Sequence, residues 1–203
     1  VALEITNKLV QEKVSVSGKK FWVDDDDNDG KRPSSITVRL LADGVEVQNK
    51  TVTEDDNWEF TFTDLPKFKG STEIVYTISE DAVADYSTSI SNYDIANTHA
   101  PEQIVIPVKK VWVDNNDAQS LRPTSVHVKL FADGEKVDEV DLNSANSWQY
   151  IFTGLSRYRN GHEIQYTVKE DAVTNYSTAY SGDMTSTITI TNTIDGKVSI
   201  PVT

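Results

Sequence analysis

The sequence predicts an all-β chain folded as two tandem Greek-key sandwiches, and three observations lead there. Lys19 to Gly44, "KKFWVDDDDNDGKRPSSITVRLLADG", lines up with Lys109 to Gly134, "KKVWVDNNDAQSLRPTSVHVKLFADG". The same 90-residue offset pairs Trp58 with Trp148, Phe62 with Phe152 and Tyr76 with Tyr166. It gives 30 identities over the 75 ungapped positions 14–88 and 104–178, too many for chance, so the chain carries a tandem duplication. Thr, Val, Ile and Tyr are frequent while Ala and Leu are few, which favours strands. Apolar and polar residues alternate in short runs bounded by turn signals, the period of a half-buried strand.

Strands are expected in the first repeat near 13–23, 35–42, 45–53, 57–63, 72–80, 86–91 and 93–98. The second repeat mirrors them near 103–113, 125–132, 135–143, 147–153, 162–170, 176–181 and 186–194. "ADG" at 42–44 and 132–134 reads as a hairpin turn in which glycine supplies positive φ. "DLPKFKG" and "GLSRYRNG" read as a helical turn or loop at most. Seven short strands at this spacing fit a sandwich, with Trp22, Val38, Leu40, Trp58, Phe60, Phe62, Leu65 and Tyr76 in the first core.

The expected division is repeat 1 over 13–100 and repeat 2 over 101–196, with 1–12 closing a preceding repeat or linker and 197–203 opening a following one. "LEITNKL" ends as "DIANTH" and "TITNTI" do, which makes Asn7 the closing asparagine of an upstream copy, and "VSIPVT" resembles "IVIPVK". The tails differ by five residues, because Asn97 and Asn192 are 95 apart, which places an insertion around "SGDMTST". The short segment between Asn97 and Lys110 suggests a semi-rigid rod of monomeric domains.

Composition excludes several functions. The net charge is −13 and no stretch concentrates Lys and Arg, which argues against nucleic-acid binding. With no cysteine in 203 residues, disulfides and thiolate metal sites are out. His99, His127 and His162 lack ligand spacing, no nucleophile elbow occurs, and no cofactor or membrane insertion of this segment is expected. In "DDDDNDG", Asp25, Asp27 and Asp29 resemble the start of a calcium loop, but the twelfth position is Ile36 rather than Glu. The second copy, "DNNDAQS", loses the pattern. A solvated acidic loop is the favoured reading, and no role shared by the two loops is inferred.

Strand parity isolates a stranger set. Val14, Val16, Gly18, Lys20 and Trp22 share one face of the first strand, as do Ile104, Ile106, Val108, Lys110 and Trp112. Ile74, Tyr76, Ile78 and Glu80 share a face, as do Ile164, Tyr166, Val168 and Glu170. Ile95 lies with Asn97, and Ile188, Ile190 and Ile194 lie with Asn192. Alternation therefore turns a lysine, a glutamate and an asparagine inward in both repeats, and burying such groups needs a reason. One reason is a buried Lys–Glu ion pair capped by the asparagine; the other is a covalent bond.

The "KxW" strand, the "RPxS" turn, the "ADG" hairpin, the "WxFxF" or "WxYxF" strand, "YTxxEDAV" and the closing "xNT" together resemble the Cna-B-type repeat of Gram-positive surface adhesins. The resemblance covers nearly the whole chain. It implies transthyretin-like, inverted-immunoglobulin sandwiches, each closed by an intramolecular isopeptide bond: Lys20–Asn97 with Glu80 as proton shuttle, and Lys110–Asn192 with Glu170. The residue types suit that chemistry. Burial favours a neutral, nucleophilic amine and an un-ionised carboxyl. The acid polarises the amide and moves a proton to departing ammonia, and folding supplies the proximity. Each domain would react once, on itself, so no turnover enzyme is expected.

The function so implied is a stalk or spacer of an extracellular, cell-wall-anchored Gram-positive adhesin. Its partners would be neighbouring repeats and, through the parent protein, host matrix. The alternative is a repeat that itself binds a host matrix or glycoprotein ligand.

Overall fold

The structure, a computed structural model, describes residue 3 and residues 10–195. The readings made at Asn7 and across 197–203 lie outside the described residues. The chain forms two compact units that divide between Pro101 and Glu102.

In the first unit the strands are β1 (Lys13–Val23), β2 (Ser35–Ala42), β3 (Val45–Thr53), β4 (Glu59–Pro66), β5 (Phe68–Lys69), β6 (Thr72–Glu73), β7 (Tyr76–Glu80), β8 (Ser87–Ser91) and β9 (Asp94–Thr98). One sheet has the order β4-β1-β9-β8 and the other β3-β2-β7, with β5 and β6 a small separate hairpin. All pairings in the two sheets are antiparallel except β1 with β9, the first strand and the last, which run parallel.

The second unit repeats this plan with β10 (Gln103–Val113), β11 (Ser125–Ala132), β12 (Glu135–Asn143), β13 (Gln149–Ser156), β14 (Tyr158–Arg159), β15 (His162–Glu163), β16 (Tyr166–Glu170), β17 (Tyr176–Ser181) and β18 (Ile188–Ile194). Its sheets are β13-β10-β18-β17 and β12-β11-β16. Here too the first and last strands pair in parallel. Both units are all-β sandwiches, as the alternation predicts.

The core forms where the inner faces of the two sheets meet. Val16, Phe60, Phe62, Leu65 and Ile95 from one sheet pack with Ile36, Val38, Leu40, Val52, Tyr76 and Ile78 from the other. Trp22 and Trp58 are partly buried against that cluster rather than sealed within it. Burying each Phe or Leu contributes about 1.5–3 kcal/mol, which is why period-two strands hold their register.

Three local features depart from the sequence reading, each for a physical reason. The strand expected over 72–80 breaks at Ile74 and Val75. Asp43 of the hairpin turn takes both backbone groups of Val75, its N–H donating to the Val75 carbonyl and its side chain accepting from the Val75 N–H. Asp133 does the same to Gln165. "DLPKFKG" is not helical: β4 runs on to Pro66, and Phe68–Lys69 pairs with Thr72–Glu73. The turns at Asp43-Gly44 and Asp133-Gly134 have positive φ at both residues, the two-residue hairpin whose twist matches its strands.

The third departure is the acidic loop, which does have a role common to both copies. Asp25, Asp26 and Asp27 all adopt left-handed φ of 54–58°, and Asn115, Asn116 and Asp117 adopt 53–59°. Asp and Asn are the non-glycine residues that tolerate this conformation, so "DDD" and "NND" are equivalent in backbone terms. The turn aims Asp24 inward, where it accepts from Arg32 at 2.7 and 3.0 Å and from the Tyr86 hydroxyl at 2.8 Å. Asp114 accepts from Arg122 at 2.7 and 2.9 Å and from Tyr176 at 3.1 Å.

Candidate cross-linking site

Parallel pairing of the terminal strands sets the site. In register Lys20 faces Ile95 and Trp22 faces Asn97, so Lys20 and Asn97 lie two residues apart on neighbouring strands with the same inward parity. In the second unit Lys110 faces Ile190 and Trp112 faces Asn192. The glutamates come from the opposite sheet: Glu80 pairs with Val38 on β7–β2, and Glu170 with Val128 on β16–β11. A lysine, an amide and a carboxyl from three strands thus meet between the sheets.

All of them are buried. Lys20 is 2% exposed, Lys110 3%, and Asn97 and Asn192 are both 0%. The Glu80 and Glu170 side chains are also sealed from solvent. Lys20 Nζ lies 2.8 Å from Glu80 Oε1, and Lys110 Nζ lies 3.0 Å from Glu170 Oε1. Each lysine nitrogen therefore contacts its glutamate oxygen at ion-pair distance, sealed from water. Burial pulls both lysine amines below the usual lysine range, against the neighbouring carboxyl, which acts to raise them.

The asparagines are the unusual members of the site. Both polar atoms of the Asn97 amide and both of Asn192 are buried without a hydrogen-bond partner. An unmet buried donor or acceptor costs about 1–3 kcal/mol, so four in matched places are not an accident of packing. An ion pair capped by asparagine would have used those atoms as hydrogen-bond partners, and here they are not so used.

Aromatic rings close the pocket. The Lys20 nitrogen sits 4.5 Å from the Trp22 ring centroid, and Lys110 sits 4.4 Å from Trp112. Trp22 meets Trp58 and Tyr86 edge-on at 5.2 and 5.1 Å, while Trp112 meets Trp148 and Tyr176 at 5.3 and 5.1 Å. The Lys20 and Lys110 backbone N–H groups donate to Trp58 and Trp148 carbonyls at 2.8 Å. Both of those tryptophans have φ of 59°, a strained value for a bulky residue. Parity could not foresee that strain, because it arises only once β4 is anchored beside the lysine.

Sequence reasoning also passed over Thr88 and Thr178. Thr88 Oγ1 donates to Glu80 Oε2 at 3.0 Å, and Thr178 Oγ1 to Glu170 Oε2 at 3.2 Å. The signal was present: "YST" repeats at the 90-residue offset, and Thr88 shares the strand face of Tyr86, although Thr88 itself stays exposed.

The acidic-loop residues do not converge on a cation site. Asp27 Oδ1 accepts from the Arg32 N–H, Asp29 Oδ2 lies 2.9 Å from His99 Nε2, and Asp25 is exposed. Among the described residues no group of three or more His, Cys, Asp or Glu could hold a metal ion.

Comparison with known proteins fixes the family. The Cna protein B-type domain matches residues 16–98 and again residues 106–193. The chain belongs to that family. Its two Cna B-type domains are 40% identical over 192 residues to the collagen adhesin of Staphylococcus aureus, a match that spans 94% of this chain and 16% of the adhesin. Among solved structures, a single B repeat unit (B1) of the collagen binding surface protein of S. aureus is 39% identical. That match covers 90% of this chain and 99% of that one with a TM-score of 0.45. The two-unit B1B2 fragment is 38% identical, covering 92% of this chain and 51% of that one, with a TM-score of 0.46.

Proposed function

We propose that the two Cna B-type domains are structural stalk or spacer units of a Gram-positive surface adhesin, each welded by a Lys–Asn isopeptide bond that it makes itself. The observation that carries this reading is the unpartnered Asn97 and Asn192 amides beside a buried amine and carboxyl.

The chemistry follows from the geometry. Moving one proton across the 2.8 Å contact turns the Lys20–Glu80 pair into a neutral amine and a carboxylic acid, and burial favours the neutral form of the amine. The amine nitrogen attacks Cγ of Asn97 while the acid protonates Oδ1. The carboxyl then relays protons to Nδ2, the Cγ–Nδ2 bond breaks, and ammonia leaves. One carbon–nitrogen bond forms, one is lost, and no oxidant or reductant is needed. The product amide removes the unmet Nδ2 donor and leaves the former amine nitrogen bearing a hydrogen beside Glu80. Domain 2 runs the same step with Lys110, Glu170 and Asn192. Because the reaction consumes its own side chains, it is a single event rather than enzymatic turnover.

A bond between the first and last strands of a sandwich is a mechanical device. Tension entering β1 would pass to β9 without loading residues 21–96. The relative from S. aureus is named a collagen adhesin. We take these domains to transmit load between such an adhesive region and an anchored cell surface, outside the cell, without contacting the ligand themselves.

Force spectroscopy on the unmodified two-domain chain tests this. Unfolding a domain without the bond would release residues 21–96, about 250 Å of extended chain, whereas the welded domains show no such step. Two releases of that size in the unmodified chain would overturn the proposal.

A further inference from the structure

We propose that Thr88 and Thr178 are positioning residues for the cross-linking reaction, each turning its glutamate so that one chosen oxygen faces the lysine; the inference rests on the isopeptide reading above. A glutamate carboxyl has two equivalent oxygens and a broad, roughly two-fold terminal torsion, so nothing within the side chain selects one. Here the choice is made from outside. Thr88 donates to Oε2 of Glu80 at 3.0 Å while Oε1 lies 2.8 Å from Lys20 Nζ. Thr178 donates to Oε2 of Glu170 at 3.2 Å while Oε1 lies 3.0 Å from Lys110 Nζ. The oxygen that must exchange a proton with the amine is the one the threonine leaves free.

The placement is tied to the electrophile. Thr88 is the cross-strand partner of Asn97 on β8–β9, and Thr178 is the partner of Asn192 on β17–β18. One hairpin therefore presents both the amide to be attacked and the hydroxyl that sets the acid. The five-residue insertion in domain 2 falls within this hairpin, yet the Thr–Asn pairing is kept. Threonine suits the task, because branching at Cβ restricts χ1 and the hydroxyl direction with it. Other contacts near the acid are not shared. The Tyr180 hydroxyl accepts from the Glu170 N–H at 2.9 Å, whereas Ile90 occupies the corresponding place in domain 1.

The test follows bond formation in newly made chain. Protein synthesised in a cell-free system is sampled over time into denaturing acid, digested, and analysed by mass spectrometry for the Lys20–Asn97 and Lys110–Asn192 cross-linked peptides. Thr88→Val keeps the shape and strand preference of an exposed edge residue, and domain 2 serves as a clock within each molecule. Thr88→Val slows the Lys20–Asn97 peptide about ten-fold or more, part of what general acid–base catalysis supplies, while Thr88→Ser restores it to within about two-fold. Thr178→Val produces the reciprocal pattern. A structural role alone would leave the rates of a folded Val variant unchanged, so equal rates for Thr88→Val and the unmodified chain overturn the inference by itself. So does a Ser variant as slow as Val. Neither peptide forming in the unmodified chain would overturn the isopeptide reading and the positioning role together.

Discussion

Lys20 and Lys110 are residues that folding ordinarily leaves in water, and here they stand under tryptophan rings beside carboxyls. Their partners make the sites asymmetric to mutation. Asn97→Ala would remove the proposed bond but leave the Lys20–Glu80 pair intact. It should cost about 4–5 kcal/mol, the chain-entropy value for opening a loop of this length with strain ignored. Lys20→Ala removes the bond and also strands Glu80 in a sealed pocket. Breaking a buried pair adds about 3–5 kcal/mol, so this variant should be the less stable of the two in urea unfolding. Equal midpoints for Asn97→Ala and the unmodified chain would mean that no bond is lost. At this scale the sequence was informative because period-two parity is a strict rule: Lys20, Glu80 and Asn97 could be turned inward without any structure. Thr88 was equally visible in parity. It went unremarked because an exposed threonine on an edge strand has an ordinary explanation, and its meaning depends on a carboxyl from the other sheet. Gly18 was legible as inward-facing but not as necessary. A Cβ there would lie 1.8 Å from the Tyr93 carbonyl oxygen, whereas domain 2 carries Val108 at the same position.

Among the elements, β1 and β2 were legible to the residue because alternating burial defines them, and β3 because the Asp43-Gly44 turn sets its start beside β2. Elements fixed by a single distant hydrogen bond were not, and the break before β7 is the example, since Asp43 causes it from a turn some thirty residues earlier. The acidic loop is hidden from the sequence for a related reason: the decisive property of its aspartates is tolerance of left-handed φ rather than charge. That loop gives domain 1 a histidine contact that domain 2 does not repeat. His99 Nε2 lies 2.9 Å from Asp29 Oδ2 and Nδ1 lies 2.9 Å from the Asp85 carbonyl oxygen, both acceptors, so the contacts favour the protonated ring. The hydrogen bond to Asp29, then that to the Asp85 carbonyl, raise the His99 pKa. Lys31, near Asp85, and the Tyr86 ring also face this corner. A raised histidine stabilises the fold fully below its unfolded pKa of about 6.5, and the contribution fades as pH rises through the folded value. Thermal unfolding of domain 1 should therefore weaken between mildly acidic and mildly alkaline pH, and His99→Gln should remove that slope. Domain 2 has Gln119 and Ile194 at these places and lacks this contact; its own raised histidine is His127, paired with Asp141 and Glu139. The acid side is opposite in sign. Arg122 first, then the Asp117 N–H and Tyr176, hold Asp114 down to about 2 against burial. Its stabilisation is present above the unfolded value and is lost as pH falls from about 4 towards about 2. Asp114→Asn should flatten domain 2's acid unfolding over that window, and an unchanged profile would contradict the assignment.

At the scale of the whole molecule, one plan is executed twice with different details. The outer face, the hairpin insertion and the His99 corner vary, while the parallel pairing of first and last strands and the three side chains between the sheets do not. That constancy is what a covalent closure requires, because the bond can form only where both terminal strands bring their side chains to one point. It also explains how a cysteine-free chain of net charge −13 could be tethered without disulfides or metal. The most direct measurement is the intact mass of the unmodified chain under denaturing conditions. Each Lys–Asn bond expels one ammonia, so the account predicts a mass about 34 Da below that of the unmodified sequence, with about 17 Da restored by Glu80→Ala or by Glu170→Ala. A denatured chain at its full sequence mass would contradict it.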